Sequence, residues 1–142
     1  MSPAEQKALV RRYFDEVVNR GDYAGLEALF TPDYRGHHAG AGEGPPAARI
    51  RRRVEGVRAA FPDLVFTVEE QVAEGATVAS RLTVRGTHRG PYAGVPATGR
   101  PVAWRVATFH RFADGRIADS WTSFDAVVVL QQLAAVPRPD PA

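Results

Sequence analysis

The chain has 142 residues, 44% of them hydrophobic and 9% aromatic, which suits a soluble globular domain with a sizeable core and is too short for two. Its 18 basic and 16 acidic residues leave a net charge of only +2, too small a bias to indicate a nucleic-acid partner. With no cysteine, disulfides, thiolate nucleophiles and cysteine metal sites are excluded, and no apolar run approaches the roughly 20 residues that span a bilayer.

Met1, Ser2 and Pro3 followed by Glu5 and Lys7 lack the basic-then-apolar design of a signal peptide, so a cytoplasmic location without a membrane partner is expected. Residues 4 to 20 then repeat Leu9, Val10, Tyr13, Phe14, Val17 and Val18 in a rhythm that predicts an amphipathic helix. "NRGDY" stops it, with Gly21 fit for the C′ position and Asp22 for the next N-cap. A second helix over about 23 to 30 would bury Leu26, Leu29 and Phe30. "TPDYRGHHAGAGEGPP" reads as a long irregular connection. The third helix, about 46 to 60, sets Ile50, Val54, Val57 and Phe61 in an apolar stripe, and Arg51, Arg52 and Arg53 fan out over its solvated side. It halts near "FPD", because the residue before a proline is pushed out of the helical region.

After Pro62 the pattern changes to alternation. "LVFTVEEQV", "ATVASRLTVRGTH", "RPVAWRVATFHRF" and "RIADSWTSF" predict four strands, and "RGPYAGVPATGR" is a loop between the second and third. In "ADGR" the Asp-Gly pair supplies the left-handed residues of a type I′ hairpin turn. "DAVVVLQQLAAV" is either a last strand turn or a short helix capped by Asp125, and "PRPDPA" a frayed end. Helices followed by alternating strands predict an α+β domain, with a twisted sheet wrapped over the helices and a hollow left for a ligand.

The order of these elements, with "LFTPDYRGHH", "AFPDL", "GTHRGPYAGVPATGRPV" and "RFADGRIADSW", resembles the SnoaL-like polyketide cyclases of the nuclear-transport-factor-2-like superfamily over about residues 6 to 134. The resemblance implies a cone-shaped α+β barrel: three N-terminal helices packed in a strongly curved, mainly antiparallel sheet. It makes residues 1–142 a single domain, ordered over about 4–136 with a flexible tail at 137–142. It also implies intramolecular aldol chemistry without metal or cofactor, by an aspartate paired with a histidine in an apolar pocket. Alignment through "DGRI" and "LQQL" puts those two positions at Thr122 and Thr108. A threonine hydroxyl does not titrate near neutrality and does not replace a carboxylate as an acid or base.

Parity along the strands shows what else faces inward. Val78, Ser80, Leu82 and Val84 share the even face of one strand, with His88 if the strand runs unbroken that far, and Val102, Trp104, Val106, Thr108 and His110 share that of the next. His88 is the first candidate base, a neutral imidazole if buried; the alternative is a hydrogen-bonding anchor for the glycine-rich loop. His37 is the second, since relatives carry a histidine after "DY", whereas its neighbour His38 would face the other way. His110, at the distal end of its strand, reads as a surface residue. No H-x-x-x-H or H-E-x-x-H spacing supports a metal site. On the last strand the resemblance turns Ser120 and Thr122 inward, with Asp119 and Trp121 outward; a β-bulge would reverse that. Asp119 is expected to pair with Arg105 or Arg111 across the hairpin, and Asp125 is either a pocket-mouth acid or a helix cap. Tyr13, Phe14, Tyr34, Phe61, Tyr92 and Trp104 are the aromatics expected around the substrate, with Val106, Ser120, Trp121 and Asp125 beside them.

The expected function is cofactor-free acid–base chemistry, of cyclase, isomerase or lyase type, on a small apolar oxygenated molecule such as a polyketide. His88 or His37 would act as base, and Thr108, Thr122 and Ser120 as donors to a developing enolate. A hydrolase or a cofactor-independent hydroxylase ranks below that. The alternative is a module that binds a small molecule or dimerises without turnover, favoured by Thr122 at the aspartate position. Relatives pair through their sheets, so a homodimer or higher homo-oligomer is expected, with Arg105, Phe109 and Arg111 on the contact face.

Overall fold

The long strand Pro101–Ala113 organises the molecule. Its even positions Val102, Trp104, Val106, Thr108, His110 and Phe112 are all buried, while Arg105, Phe109 and Arg111 face outward. The computed structural model describes residues 1–37 and 42–134. In chain order the elements are α1 (Pro3–Arg12), a π-helical continuation (Tyr13–Asn19), α2 (Leu26–Leu29), β1 (Phe30–Gly36) and α3 (Pro46–Ala60). There follow β2 (Val65–Glu74), β3 (Thr77–Thr87), β4 (Pro101–Ala113), β5 (Arg116–Ser123) and α4 (Ala126–Gln132). The sheet order is β1-β5-β4-β3-β2, with β2 to β5 antiparallel and β1 parallel to β5. The expected α+β architecture, helices packed against a curved sheet, is the one found.

Three local features depart from the sequence reading. The first helix begins as expected, with Ser2 capping the Glu5 amide at 3.1 Å, but widens to a π-helix from Tyr13. Tyr13, Phe14, Val17 and Val18 within it are buried, the apolar face that the sequence rhythm marks. The second helix shrinks to four residues. The stretch read as irregular over most of its length opens with a fifth strand, β1, which has no alternating pattern of its own. It is held by long-range pairing to β5, and its register breaks between Phe30 and Arg35, around Pro32. His38 and the tail beyond residue 134 lie outside the described residues.

Irregularities shape the sheet. Arg111 pairs with Asp119 but Phe112 with Ile117, so Ala118 is an extra residue in β5. The bulge shifts the phase of the strand: Ile117 is buried, and after it Ser120 is buried too. Trp121 therefore turns outward, as the resemblance had it. At the hairpin, Asp114 and Gly115 both take positive φ, 51° and 76°, as a type I′ turn requires. Beyond Ser123 the edge of β4 has lost its partner strand. There Gln132 of α4 supplies the missing pairing: Ala103 N–H donates to its Oε1 at 2.8 Å, and its Nε2 donates to the Ala103 carbonyl at 2.6 Å. The tail is thus the short helix of the two alternatives, capped by Asp125, which accepts the Val127 amide at 3.0 Å. No helix among the described residues is long and apolar enough to cross a membrane.

Candidate functional site

The helices do not fill the hollow of the sheet. A cavity of about 700 Å³ remains between α3, the π-helical segment and the inner faces of β4 and β5. Its walls are largely aromatic and aliphatic. Tyr13 stands edge-on to Phe14 and Phe30, and Phe14 stacks on Phe66 at 5.7 Å. Half-buried Val57 and Tyr92 and exposed Phe124 mark the mouth, whereas His110, Thr108 and Ser120 are almost fully buried and form the floor. Burial raises the Tyr92 phenol above its ordinary value.

The polar groups of the floor come in cross-strand pairs. Thr108 of β4 lies opposite Thr122 of β5, and His110 lies opposite Ser120. The two threonine hydroxyls, expected from the resemblance to stand where an acid–base pair would be, border the cavity as direct neighbours, and an imidazole stands one inward step along the same strand. Thr108 Oγ1 is buried with no hydrogen-bond partner among the described residues. An orphaned hydroxyl on a cavity wall is a hydrogen bond held for a ligand or a water. His110 is flanked by the edges of Tyr13 and Phe14, at 6.1 and 6.0 Å between ring centroids.

A second polar line starts from α3. Arg53 Nη2 donates to the Tyr13 hydroxyl at 3.0 Å, and the guanidinium also interacts with the Tyr34 hydroxyl, which in turn is hydrogen-bonded to Ser120 Oγ. Burial works against the charge on Arg53, yet the two phenol oxygens beside it more than offset that and its pKa rises. Burial likewise pushes the Tyr34 phenol up, against the pull of Arg53 and Ser120, so the group stays protonated and can donate.

Of the expected lining residues, Tyr13, Phe14, Tyr34, Tyr92, Trp104 and Val106 border the cavity, as do Ser120, Thr108 and Thr122. Phe61 and Trp121 do not. Phe61 packs behind the wall against His88, Tyr92 and Trp104, and Trp121 is on the outer face by the phase shift in β5. Asp125 is a helix cap, not a mouth acid.

The histidines are redistributed. β3 ends at Thr87, so His88 leaves the strand's alternation and does not border the cavity. Fully buried, it receives the Thr98 amide on Nδ1 at 3.1 Å and contacts Thr98 Oγ1 at 2.9 Å, anchoring the glycine-rich loop. His37 is at the rim, but its ring leans outward, stacked on Trp121 at 4.6 Å and bonded through Nε2 to Asp119 Oδ1 at 2.8 Å. Asp119 therefore pairs with His37, not with Arg105 or Arg111; Arg111 lies over the Trp121 ring instead. His110, expected at the surface, is 3% exposed and on the floor, because β4 runs on past it beneath the π-helical segment.

Arg53, expected on the solvated side of α3, borders the cavity instead. Ile50, Arg53, Val54 and Val57 are one i, i+3, i+4, i+7 face, which overrides the impression of a solvated arginine run. No carboxylate stands among the described residues that line the cavity, and no three His, Asp or Glu side chains gather as a metal site among the described residues.

Comparison with known proteins extends this picture. AclR of Streptomyces galilaeus, described as a candidate hydroxylase, is 33% identical over 96% of this chain and all of its own, with a TM-score of 0.81. IdmH of Streptomyces antibioticus, described as a candidate polyketide cyclase, is 34% identical over 91% of this chain and 98% of its own, with a TM-score of 0.76. TsrD of Streptomyces laurentii is 26% identical, covers 96% of this chain and 99% of its own, and superposes with a TM-score of 0.86. No curated protein matches the sequence. The family model for SnoaL-like polyketide cyclases matches residues 8–133, nearly the whole described fold from α1 through α4, and on that match the chain belongs to the SnoaL-like polyketide cyclase family.

Proposed function

We propose that the protein is an enzyme that moves a proton on a planar, oxygenated small molecule of polyketide type, with His110 as the base. The base role expected of His88 or His37 passes to His110 because it alone of the three has its imidazole on the cavity floor. The single observation that carries the reading is the His110–Ser120 pair beside Thr108, whose buried hydroxyl has no partner among the described residues. Substrate carbon is deprotonated by the neutral imidazole, and the enolate oxygen is held by the Thr108, Thr122 and Ser120 hydroxyls. In a cyclisation the enolate carbon attacks a second carbonyl of the same molecule, and the imidazolium returns its proton to the new alkoxide. In an isomerisation the proton goes back to a different carbon. Tyr34, protonated and bonded to Ser120, keeps that hydroxyl oriented.

His110→Gln is expected to cut kcat/KM on a polyketide precursor by about a hundredfold or more, the usual worth of a general base, and to remove the acid limb of the rate profile. Turnover and pH dependence unchanged in a folded His110→Gln protein would refute the assignment. A second reading, ligand binding without turnover, is favoured by the lack of any carboxylate among the described lining residues. It predicts precursor binding by the wild type with no product at any pH. The outward face of β4, where Phe109 is half-exposed between Arg105 and Arg111, is the surface on which we expect a second copy to pair.

A further inference from the structure

Two hydroxyl groups on the cavity wall are uncommitted, one at each end. Thr108 Oγ1 on the floor is buried with no hydrogen-bond partner among the described residues. Tyr92 stands at the mouth, and its phenol makes no hydrogen bond among the described residues. Burial is the sole cause that raises this phenol above its ordinary value; neither a hydrogen bond nor a charge contributes. At neutral pH the group therefore keeps its proton and is free to donate a hydrogen bond. Between the two ends the wall is largely aromatic and aliphatic, with Phe14, Phe30, Trp104 and Val106 among its residues.

The loop that carries Tyr92 is tied down at its root and at its tip. At the root, the Arg89 and Gly90 amides donate to the Ala60 carbonyl at 2.9 and 3.1 Å, and the His88 amide donates to the Arg100 carbonyl at 2.9 Å. At the tip, Tyr92 and Val95 exchange both backbone hydrogen bonds, at 3.0 and 2.8 Å. Ala93 and Gly94 between them have φ of 49° and 80°, both positive as a type I′ turn requires. Alanine is strained there, and backbone strain of this kind gathers at ligand clamps and active sites. The Tyr92 ring also packs edge-on against Phe61, at 5.2 Å between centroids. From this we propose that Tyr92 determines specificity: its hydroxyl donates to an acceptor oxygen at the outer end of the substrate, and Thr108 binds a second oxygen at the inner end. The cavity then selects planar molecules that carry a ketone or other neutral acceptor oxygen at both ends. This rests on reading the cavity as a substrate site, and it adds where the substrate's oxygens lie. A donor already held in place loses little freedom on binding. A ligand without the outer oxygen would strip water from the phenol and leave it unpaired.

The test is calorimetric titration of the wild type and Tyr92→Phe with two nearly isosteric probes, 2,6-diacetylnaphthalene and 2-acetyl-6-isopropenylnaphthalene. The second probe replaces one ketone oxygen by a methylene group and keeps the shape. The wild type is expected to bind the diketone about five- to tenfold tighter, the range of one net hydrogen bond. Tyr92→Phe removes the phenol oxygen alone. It should bind both probes with the affinity that the wild type has for the monoketone, which also shows that the cavity is intact. Equal affinities in the wild type, binding of neither probe, or a diketone preference that survives in Tyr92→Phe would each overturn the proposal. Loss of both probes in Tyr92→Phe would overturn it too, by reducing the residue to packing. The catalytic reading fails separately: a Tyr92-dependent diketone preference without turnover sinks only the enzyme, and His110-dependent turnover without that preference sinks only the role of Tyr92.

Discussion

His88 and His110 are both buried, at 0% and 3% exposure, yet their nitrogens do different work. The Nδ1 lone pair of His88 accepts the Thr98 amide proton, which puts the imidazole proton on Nε2. An imidazole arranged in that way has no lone pair left to take a proton from a substrate. It is an anchor, whereas His110 faces a cavity. His88→Gln is therefore expected to lower stability by about 1–3 kcal/mol in urea unfolding, through loosened loop contacts. The acid limb of its rate profile should stay where it is in the wild type. If that limb disappears in His88→Gln and persists in His110→Gln, the roles are the reverse of those assigned here. The backbone around the anchor is equally close-set: a Cβ on Gly90 would meet the Ala59 carbonyl oxygen at 2.3 Å, so no side chain fits there.

At the scale of elements, the junction between the end of α3 and the sheet depends on a carboxylate. Asp63, just before β2, accepts the Thr87 amide at 2.7 Å on one oxygen and the Thr87 hydroxyl at 2.7 Å on the other, tying it to the end of β3. The Thr87 side-chain bond and then the Thr87 backbone bond hold the Asp63 carboxyl below its ordinary value of 3.8. A carboxylate with a depressed folded pKa contributes stability that is fully present above the unfolded value and is lost as pH falls through the folded one. Asp63→Asn should thus lower the melting temperature at pH 7, and the gap from the wild type should narrow as pH is taken below about 4. A gap that stays constant down to pH 3 would mean that the charge contributes nothing. The same scale explains an error of reading. β1 lacks periodicity because only its pairing with β5 makes it a strand, and local pattern carries no record of a partner more than 80 residues away, as the Tyr34–Ser120 contact at a separation of 86 illustrates.

Across the whole molecule, one face of the sheet closes over the helices and cavity while the other is uncovered among the described residues. On that open face Phe109 is 49% exposed, and Arg111 lies against Trp121, itself stacked with His37. An apolar ring flanked by guanidinium groups suits a self-complementary contact, in which one copy's residues meet their own equivalents around a twofold axis. Sedimentation of the wild type should give a dimer or a higher assembly. The double change Phe109→Glu and Arg111→Glu should give monomers, by putting charge in the contact and removing the ring. Assembly unaffected by that pair, or a monomeric wild type, would remove this face from consideration.

The amino-acid order by itself determined the α+β class, the span of α3, the four alternating strands, the Asp-Gly hairpin and the inward face of β4, since each follows from periodicity over a few residues or from one turn's backbone needs. Only the tertiary structure decided which inward groups share a cavity. The extra residue in β5 reset the phase that puts Ser120 and Thr122 inside, and the end of β3 at Thr87 took His88 out of the wall. The length of β4 and the π-helical segment above it buried His110, and the packing of α3 swung Arg53 onto Tyr13. The physical reason is that side-chain alternation fixes a face locally, whereas a cavity is made by elements far apart in sequence. Its lining depends on bulges, strand ends and sheet curvature that no short window of residues specifies.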